Sequence, residues 1–235
     1  MNAKTLMAEI TNTGDTVRAK GSMRFFKTGK GEYGEGDQFV GVTMPEIRKI
    51  CKKYRKLDIE NLGQLFRSPI HEHRVAAVVI MADTFKKASP ARQDDLFNLY
   101  LQALRNKQIN NWDMVDISCP HVIGEYLLDK PVDILYELAK SENLWERRTA
   151  IISTFTFLRD GDATHSLRLA ELLLRDKHDL MHKAVGWVLR EVGKKFGQET
   201  LTVFLDKHAK TMPRTALRYA IEKLEPELRR KYLAK

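Results

Sequence analysis

"MHKAVGWVLREV", residues 181–192, repeats its apolar side chains at intervals of three and four. That spacing draws one greasy stripe along an α-helix, and the small residues within it leave room for a second helix to come close. Three other stretches share the pattern: "HRVAAVVIMADTF" (73–85), "ERRTAIISTFTF" (146–157) and "PRTALRYAIEKL" (213–224). Each reads as the inner helix of a two-helix unit. Arg74, Arg148, Lys183 and Arg214 sit at comparable places in them, and "NNWDMVD" (110–116) falls midway between the first two. The period is about 35 residues, within the range of helical solenoids.

The rest of the chain agrees with this pattern. "PEIRKICKKYRKL" (45–57) opens on a proline and sets Ile47, Ile50, Cys51 and Tyr54 on one stripe. Prolines 69, 90, 131, 213 and 226 stand where segments begin, punctuating helices rather than breaking them. With 43% hydrophobic residues in 235, the chain can bury a proper core. The expected fold is all-α: a HEAT-like helical-repeat solenoid of antiparallel helix pairs with a concave basic groove and no sheet. It is expected to be a single domain over 1–235, with N-terminal helices and a Gly-rich connection in 1–43 and HEAT-like repeats in 44–235.

Charge and composition exclude several classes. Forty Lys and Arg against 31 Asp and Glu give a net charge of +9, which favours a polyanionic partner, nucleic acid before an anionic membrane surface. No apolar run nears the roughly 20 residues that span a bilayer, and "MNAKTLMAEITNTGD" lacks the apolar core of a secretory signal. A soluble, cytoplasmic protein is expected. Cys51 and Cys119 lie far apart without a Cys-x-x-Cys pattern, which suggests buried reduced thiols. "GKGEYG" (29–34) satisfies Gly-x-Gly-x-x-Gly, but it follows the helical "VRAKGSMRFFK" rather than a strand. Glu32, Glu35 and Asp37 around it would repel phosphate, so it reads as a flexible connection. His178 and His182 in "HDLMH" are four apart but lack a third ligand, and His71 and His73 in "HEH" do not share a helix face. All four read as surface or capping histidines, and no metal is expected.

A different grouping carries chemistry. Helical geometry places Trp112 and Asp116 one turn apart on a common face, turns Asp113 toward the capping side, and leaves Asn110 or Asn111 to cap the helix. On a single helix this arrangement would equally describe a core tryptophan and a solvated acid. The repeat adds weight to the functional reading. "HKAVGWVLRE" puts Lys183, Trp187 and Arg190 on one face, and "LWERRTA" puts Arg147 and Arg148 at the equivalent point of the intervening repeat. Equivalent positions of a solenoid line one surface. The groove is therefore expected to carry two tryptophans, several cations and one carboxylate.

At these residues the chain resembles the AlkD family of alkylpurine DNA glycosylases, through "WDMVD", "LWERR", "KAVGWVLRE", "EYGEGDQFVGVTMPEIRKI" and "SPIHEHRVAA". The resemblance runs from about residue 18 to residue 224 with motif order and spacing preserved. It implies HEAT-like repeats and excision of cationic alkylated purines, such as 3-methyladenine and 7-methylguanine, from duplex DNA. It implies Asp116 as the catalytic carboxylate, Trp112 and Trp187 as contacts to the damaged nucleotide's sugar and backbone, and Arg148 near the lesion's backbone. Phe26, with Phe25 as the alternative, matches an aromatic position contributed by the N-terminal helices, although the family's tyrosine hydroxyl is missing here. Arg147, Lys183 and Arg190 join Arg148 as expected DNA-binding residues. Trp145 carries no such role and is expected to pack. The implied reaction is monofunctional hydrolysis to an abasic site by a monomer without cofactor, engaging the lesion through the backbone rather than in a base pocket. A noncatalytic HEAT-repeat DNA-binding protein or a protein-interaction adaptor is the alternative.

Overall fold

Prolines and short polar side chains set the helix starts. In the computed structural model, which describes residues 1–234, Pro90 and Pro226 begin their helices, Pro213 caps one, and Pro69 and Pro131 lie two residues ahead of theirs. The helices cluster into two compact units, Met1–Tyr126 and Leu127 onward. No strand occurs among the described residues. An isolated parallel bridge joins Gln38 and Ile70, in which the His71 N–H donates to the Gln38 carbonyl at 2.8 Å.

The first unit is built around α5 (His71–Thr84). Helices α1 (Ala3–Asn12), α3 (Met44–Cys51), α4 (Ile59–Phe66) and α7 (Trp112–Cys119) all pack against it, while α6 (Pro90–Arg105) packs on α4. Val75 to Met81 are each at most 1% exposed, so α5 is buried all round and shows little amphipathic pattern. The stripe of Ile47, Ile50, Cys51 and Tyr54 on and after α3 is buried as expected, and Cys51 and Cys119 are free, buried thiols. Helix α2 (Thr16–Phe25) buries no residue. It is tethered through its start, where the Asp15 N–H donates to the Val40 carbonyl at 2.8 Å and Arg18 Nε donates to the Gly41 carbonyl at 2.9 Å. The glycine-rich connection is a series of closed turns rather than a loose tether. Glu32 accepts from the Gly29 N–H and Glu35 from the Gly31 N–H, both at 2.8 Å, so these acids cap their own backbone.

Asn111 caps α7, its side-chain oxygen accepting from the Trp112 N–H at 2.9 Å. Pro120 follows inside the helical path. It has no N–H to return to the carbonyl four residues back, and the chain widens there into a π-helical turn over Pro120–Gly124 before α8 (Glu125–Leu127).

The second unit holds α9 (Asp133–Leu138), α10 (Leu144–Ile152), α11 (Phe155–Asp160), α12 (Thr164–Leu173), α13 (Asp179–Phe196), α14 (Gln198–His208), α15 (Arg214–Ala220) and α16 (Pro226–Leu233). Here α13 is the spine, packed against α10, α12, α14 and α15. Its small residues serve the expected close approach: a Cβ on Gly186 would lie 2.5 Å from the Ala216 carbonyl oxygen and 2.5 Å from Tyr219 Cβ. Tyr232 of α16 is fully buried, and its hydroxyl donates to Asp206 at 3.0 Å.

A recurring contact marks the repeat. The fourth residue of α5, α10 and α13 reaches back to a carbonyl six positions earlier: Arg74 to Ser68 at 2.8 Å, Arg147 to Ser141 at 2.9 Å and His182 to Asp176 at 2.6 Å. This puts Arg74 in register with Arg147 and His182. The sequence spacing instead sets Arg74 beside Arg148, Lys183 and Arg214; Arg148 and Lys183 sit one position further along their helices, and Arg214 is the first residue of its own. No helix is long and apolar enough to cross a membrane among the described residues.

Candidate active site

The start of α7 carries the residues singled out in "WDMVD". Trp112 is half-buried beneath an aromatic stack. Phe26 lies nearly parallel to its indole, with ring centres 5.5 Å apart, and Phe39 lies behind Phe26 at 5.2 Å. Phe25 stands edge-on to Trp112 at 5.8 Å and is 64% exposed. Of the two phenylalanines, Phe26 therefore backs the tryptophan and Phe25 presents a ring to solvent. Asp116 lies one turn beyond Trp112 and is also half-buried.

Gly34 explains part of this placement. A Cβ there would lie 2.5 Å from the Phe26 carbonyl oxygen and 3.3 Å from Asn111 Nδ2, so only glycine lets the loop close against the end of α2 and the cap of α7.

Beneath the stack is a buried charge network that the sequence did not foretell. His71 is sandwiched between two carboxylates, with Nε2 2.8 Å from Asp113 and Nδ1 3.1 Å from Asp37. Both ring nitrogens face acceptors. A neutral imidazole has a single N–H, so satisfying both contacts requires the imidazolium. Burial opposes that charge, but the field of Asp113 and the hydrogen bonds to both carboxylates outweigh it and carry the pKa up to about 9. Arg74 lies 2.6 Å from Asp37, and Asn110 donates to Asp37 at 2.8 Å. Burial would raise the Asp37 pKa, yet the His71 hydrogen bond and the Arg74 charge hold it below the ordinary range. Phe39 stacks on the His71 ring at 4.5 Å and Phe26 lies over it at 5.1 Å, a cation against aromatic faces.

The surface reading of "HEH" is thus overturned. His71 and His73 are 2% and 4% exposed. His73 bonds Ser68 at 2.9 Å and Thr11 at 3.1 Å, and burial followed by the Arg74 charge pushes its pKa down to about 4, so it stays neutral. Glu72 is equally buried and gathers the N–H groups of Val40 at 3.1 Å and Gly41 at 2.7 Å. Asp113 does turn toward the capping side, with one oxygen accepting from the Met114 N–H, but it is only 8% exposed and its other oxygen meets His71, a partner the helix spacing does not foretell. A cavity of about 220 Å³ behind Phe26 is lined by Phe39, His71, Glu72 and Asp113 among others.

The second unit presents Trp187 half-buried on α13, edge-on to Phe155 at 4.7 Å. Its two flanking cations are paired. Lys183 bonds Asp179 at 2.7 Å, and Arg190 bonds Glu222 and lies 3.3 Å from Glu191. Arg147 is held by Asp176 at 2.6 Å as well as by its backbone contacts. Arg148 is 5% exposed and donates to the Leu180 carbonyl. Trp145 is 5% exposed and packs, as expected. His178 caps α13 by accepting from the Leu180 N–H at 3.2 Å, which bears out the capping reading of "HDLMH". Among the described residues, no group of three His, Cys, Asp or Glu is arranged to hold a metal.

No curated protein matches the chain in sequence. A solved structure described as a predicted DNA alkylation repair enzyme from Enterococcus faecalis superposes with a TM-score of 0.71 over 91% of this chain and 98% of its own. At 16% identity, the shared property is the fold. The sequence model of the DNA alkylation repair enzymes matches residues 6–224. With nearly the whole length matched and an all-helical architecture to go with it, the chain belongs to the DNA alkylation repair enzyme family.

Proposed function

We propose that this family member is a monofunctional DNA glycosylase that hydrolyses the N-glycosidic bond of cationic alkylated purines, such as 3-methyladenine and 7-methylguanine, in duplex DNA. The supporting observation is a half-buried carboxylate, Asp116, one helical turn from a half-buried tryptophan whose other face is backed by the Phe26–Phe39 stack. An alkylated purine already carries positive charge and departs as a neutral base, so the barrier resides in the electron-deficient, oxocarbenium-like sugar. In this reading Asp116 stays ionised, stabilises that sugar and orients a water toward the anomeric carbon. The face of Trp112 adds attraction for developing positive charge. The water's proton passes to solvent, and an abasic site remains without a Schiff base or cofactor.

Recognition through the backbone fits the surroundings better than a base pocket does. The cavity behind Phe26 has its acids already consumed, Glu72 by backbone N–H groups and Asp113 by His71, and it contains an imidazolium that would repel a cationic base. In the second unit we assign DNA contacts to Trp187, Lys183 and Arg190, which are partly exposed. Arg148 and Arg147 are assigned to shaping the backbone beside them, through Leu180 and through Ser141 and Glu142.

The test is release of 7-methylguanine from methylated duplex by the wild type and by Asp116→Asn, which keeps size and removes charge. Excision is expected to fall by roughly 100- to 1,000-fold, the scale of losing one electrostatic stabiliser, with duplex affinity retained. Near wild-type release by the variant would remove Asp116 from the mechanism.

A further inference from the structure

We infer that His71 is a positioning residue for the Trp112–Asp116 site, acting through the hydrogen bond from its Nε2 to Asp113 at the start of α7. The inference rests on the glycosylase reading for its activity readout, but the geometry is independent of it. Asp113 is the residue directly after Trp112, and its two oxygens are divided between the helix's own Met114 N–H at 2.8 Å and His71 Nε2 at 2.8 Å. The first turn of α7 is therefore tied to α5 by a charged bond that does not pass through Trp112. The His71 ring also packs against Phe26, which in turn lies against Phe25, Phe39 and Trp112. Two routes thus lead from one imidazole to the indole: a polar one through Asp113 and an apolar one through Phe26.

The groups facing this imidazole are Asp37 and Phe39 from the segment ahead of α3, Asp113 from α7, and Phe26 at the end of α2. Arg74 and Asn110 lie behind Asp37, and Glu72 of α5 faces the 40–42 backbone instead. With Asp37 and Asp113 ionised and Arg74 and His71 charged, the network is neutral as a whole. Losing the imidazolium leaves a net negative charge beneath the aromatic stack, in an interior that screens poorly. A tilt at the first turn of α7 would carry Trp112 and Asp116 together. A displacement of about 1 Å in a catalytic constellation suffices to cost on the order of 100-fold in rate.

Two amides separate this role from general support. Glutamine at position 71 places its N–H group near the Nε2 position and keeps a donor toward Asp113; asparagine places it near Nδ1 and keeps a donor toward Asp37 only. Single-turnover release of 7-methylguanine by His71→Asn is expected to fall roughly 10- to 100-fold, with affinity for undamaged duplex unchanged. His71→Gln is expected to remain several-fold or more faster than His71→Asn. The indole N–H resonance of Trp112 in a ¹⁵N spectrum should shift in His71→Asn and move less in His71→Gln. Where His71→Asn fails to fold, Asp113→Asn removes the same charged bond from the other side and is expected to reproduce its rate loss and indole shift. Equal losses in the two amide variants, or a Trp112 resonance indifferent to all three substitutions, would overturn the assignment. A wild type that releases no alkylpurine would instead refute the glycosylase reading, and the resonance measurement would still decide the positioning role.

Discussion

Raising the pH from 6.5 to 9.5 should unfold this protein more readily, and one buried ring supplies the reason. In an unfolded chain His71 titrates near 6.5; in the fold it titrates at about 9. A group whose pKa is raised on folding stabilises the fold fully while both states are protonated. It loses that contribution as pH climbs through the folded value. The interval corresponds to about 3 kcal/mol, present below pH 6.5 and gone above pH 9. His73 works with the opposite sign. Its folded value is about 4, so its buried neutral form stabilises above pH 6.5, and a comparable amount is lost as pH falls to 4. The two histidines together predict greatest stability near pH 6.5. Urea unfolding followed by circular dichroism is the assay. With a denaturant slope of roughly 1–3 kcal/mol per molar, the wild-type midpoint should drop by about 1 M or more between pH 6.5 and 9.5. His71→Gln has no ring to titrate, so its midpoint should decline far less across the same range, leaving mainly the smaller loss from the Cys51 thiol, which burial pushes up to about 12. A flat wild-type profile, or an identical alkaline decline in His71→Gln, would refute the buried imidazolium.

Other consequences can be checked alongside. Trp145→Ala, at a buried position, should cost roughly 3–5 kcal/mol and lower Tm sharply, whereas Trp112→Ala and Trp187→Ala should cost less stability and far more excision. Unfolding of both of the latter variants would make those tryptophans core residues. Gly186→Ala should destabilise by roughly 1–3 kcal/mol, because its methyl meets the Ala216 carbonyl and Tyr219 across the α13–α15 contact; a neutral result in a melt would mean that α15 shifts without penalty. Lys183→Ala should lower the log–log salt dependence of duplex binding by about one unit, and an unchanged slope would show that Lys183 stays with Asp179 rather than meeting phosphate.

The helices were legible because their signals are local. Stripes such as Ile47, Ile50, Cys51 and Tyr54 and the prolines at helix starts state their own structure within a few residues. The cap of α7 was legible for the same reason to within one residue, as Asn110 or Asn111, and the structure selects Asn111. The charge network was not, since Asp37, His71 and Asp113 are separated by 34 and 42 positions and meet only through packing. "HEHR" looks solvated because four polar residues in a row have no apolar face; burial is possible only because each has a partner elsewhere. The one hint was its position directly ahead of "VAAVVIM", a run buried on every side. Assigning Arg74 to the register of Arg148 failed for a related reason: the small residues of inner helices align equally well one step apart, and the backbone contact that fixes the step leaves no trace in composition.

That contact, from the fourth residue of α5, α10 and α13 to a carbonyl six positions earlier, also dictates where the chain tolerates changes in length. One residue added between 68 and 74, 141 and 147, or 176 and 182 displaces the acceptor by up to about 3.5 Å, beyond hydrogen-bond reach. The turn at Gly161 is closed by bonds local to the end of α11, the Gly161 N–H to Leu158 at 3.3 Å and the Asp162 N–H to Phe157 at 2.9 Å; it is exposed, has a φ of 103°, and no neighbour stands within 4 Å of where a Cβ would be. A peptide tag or fluorophore loop spliced between α11 and α12 would therefore leave the protein seated as it is, whereas the same cargo at Glu142 would pry α10 from its anchor.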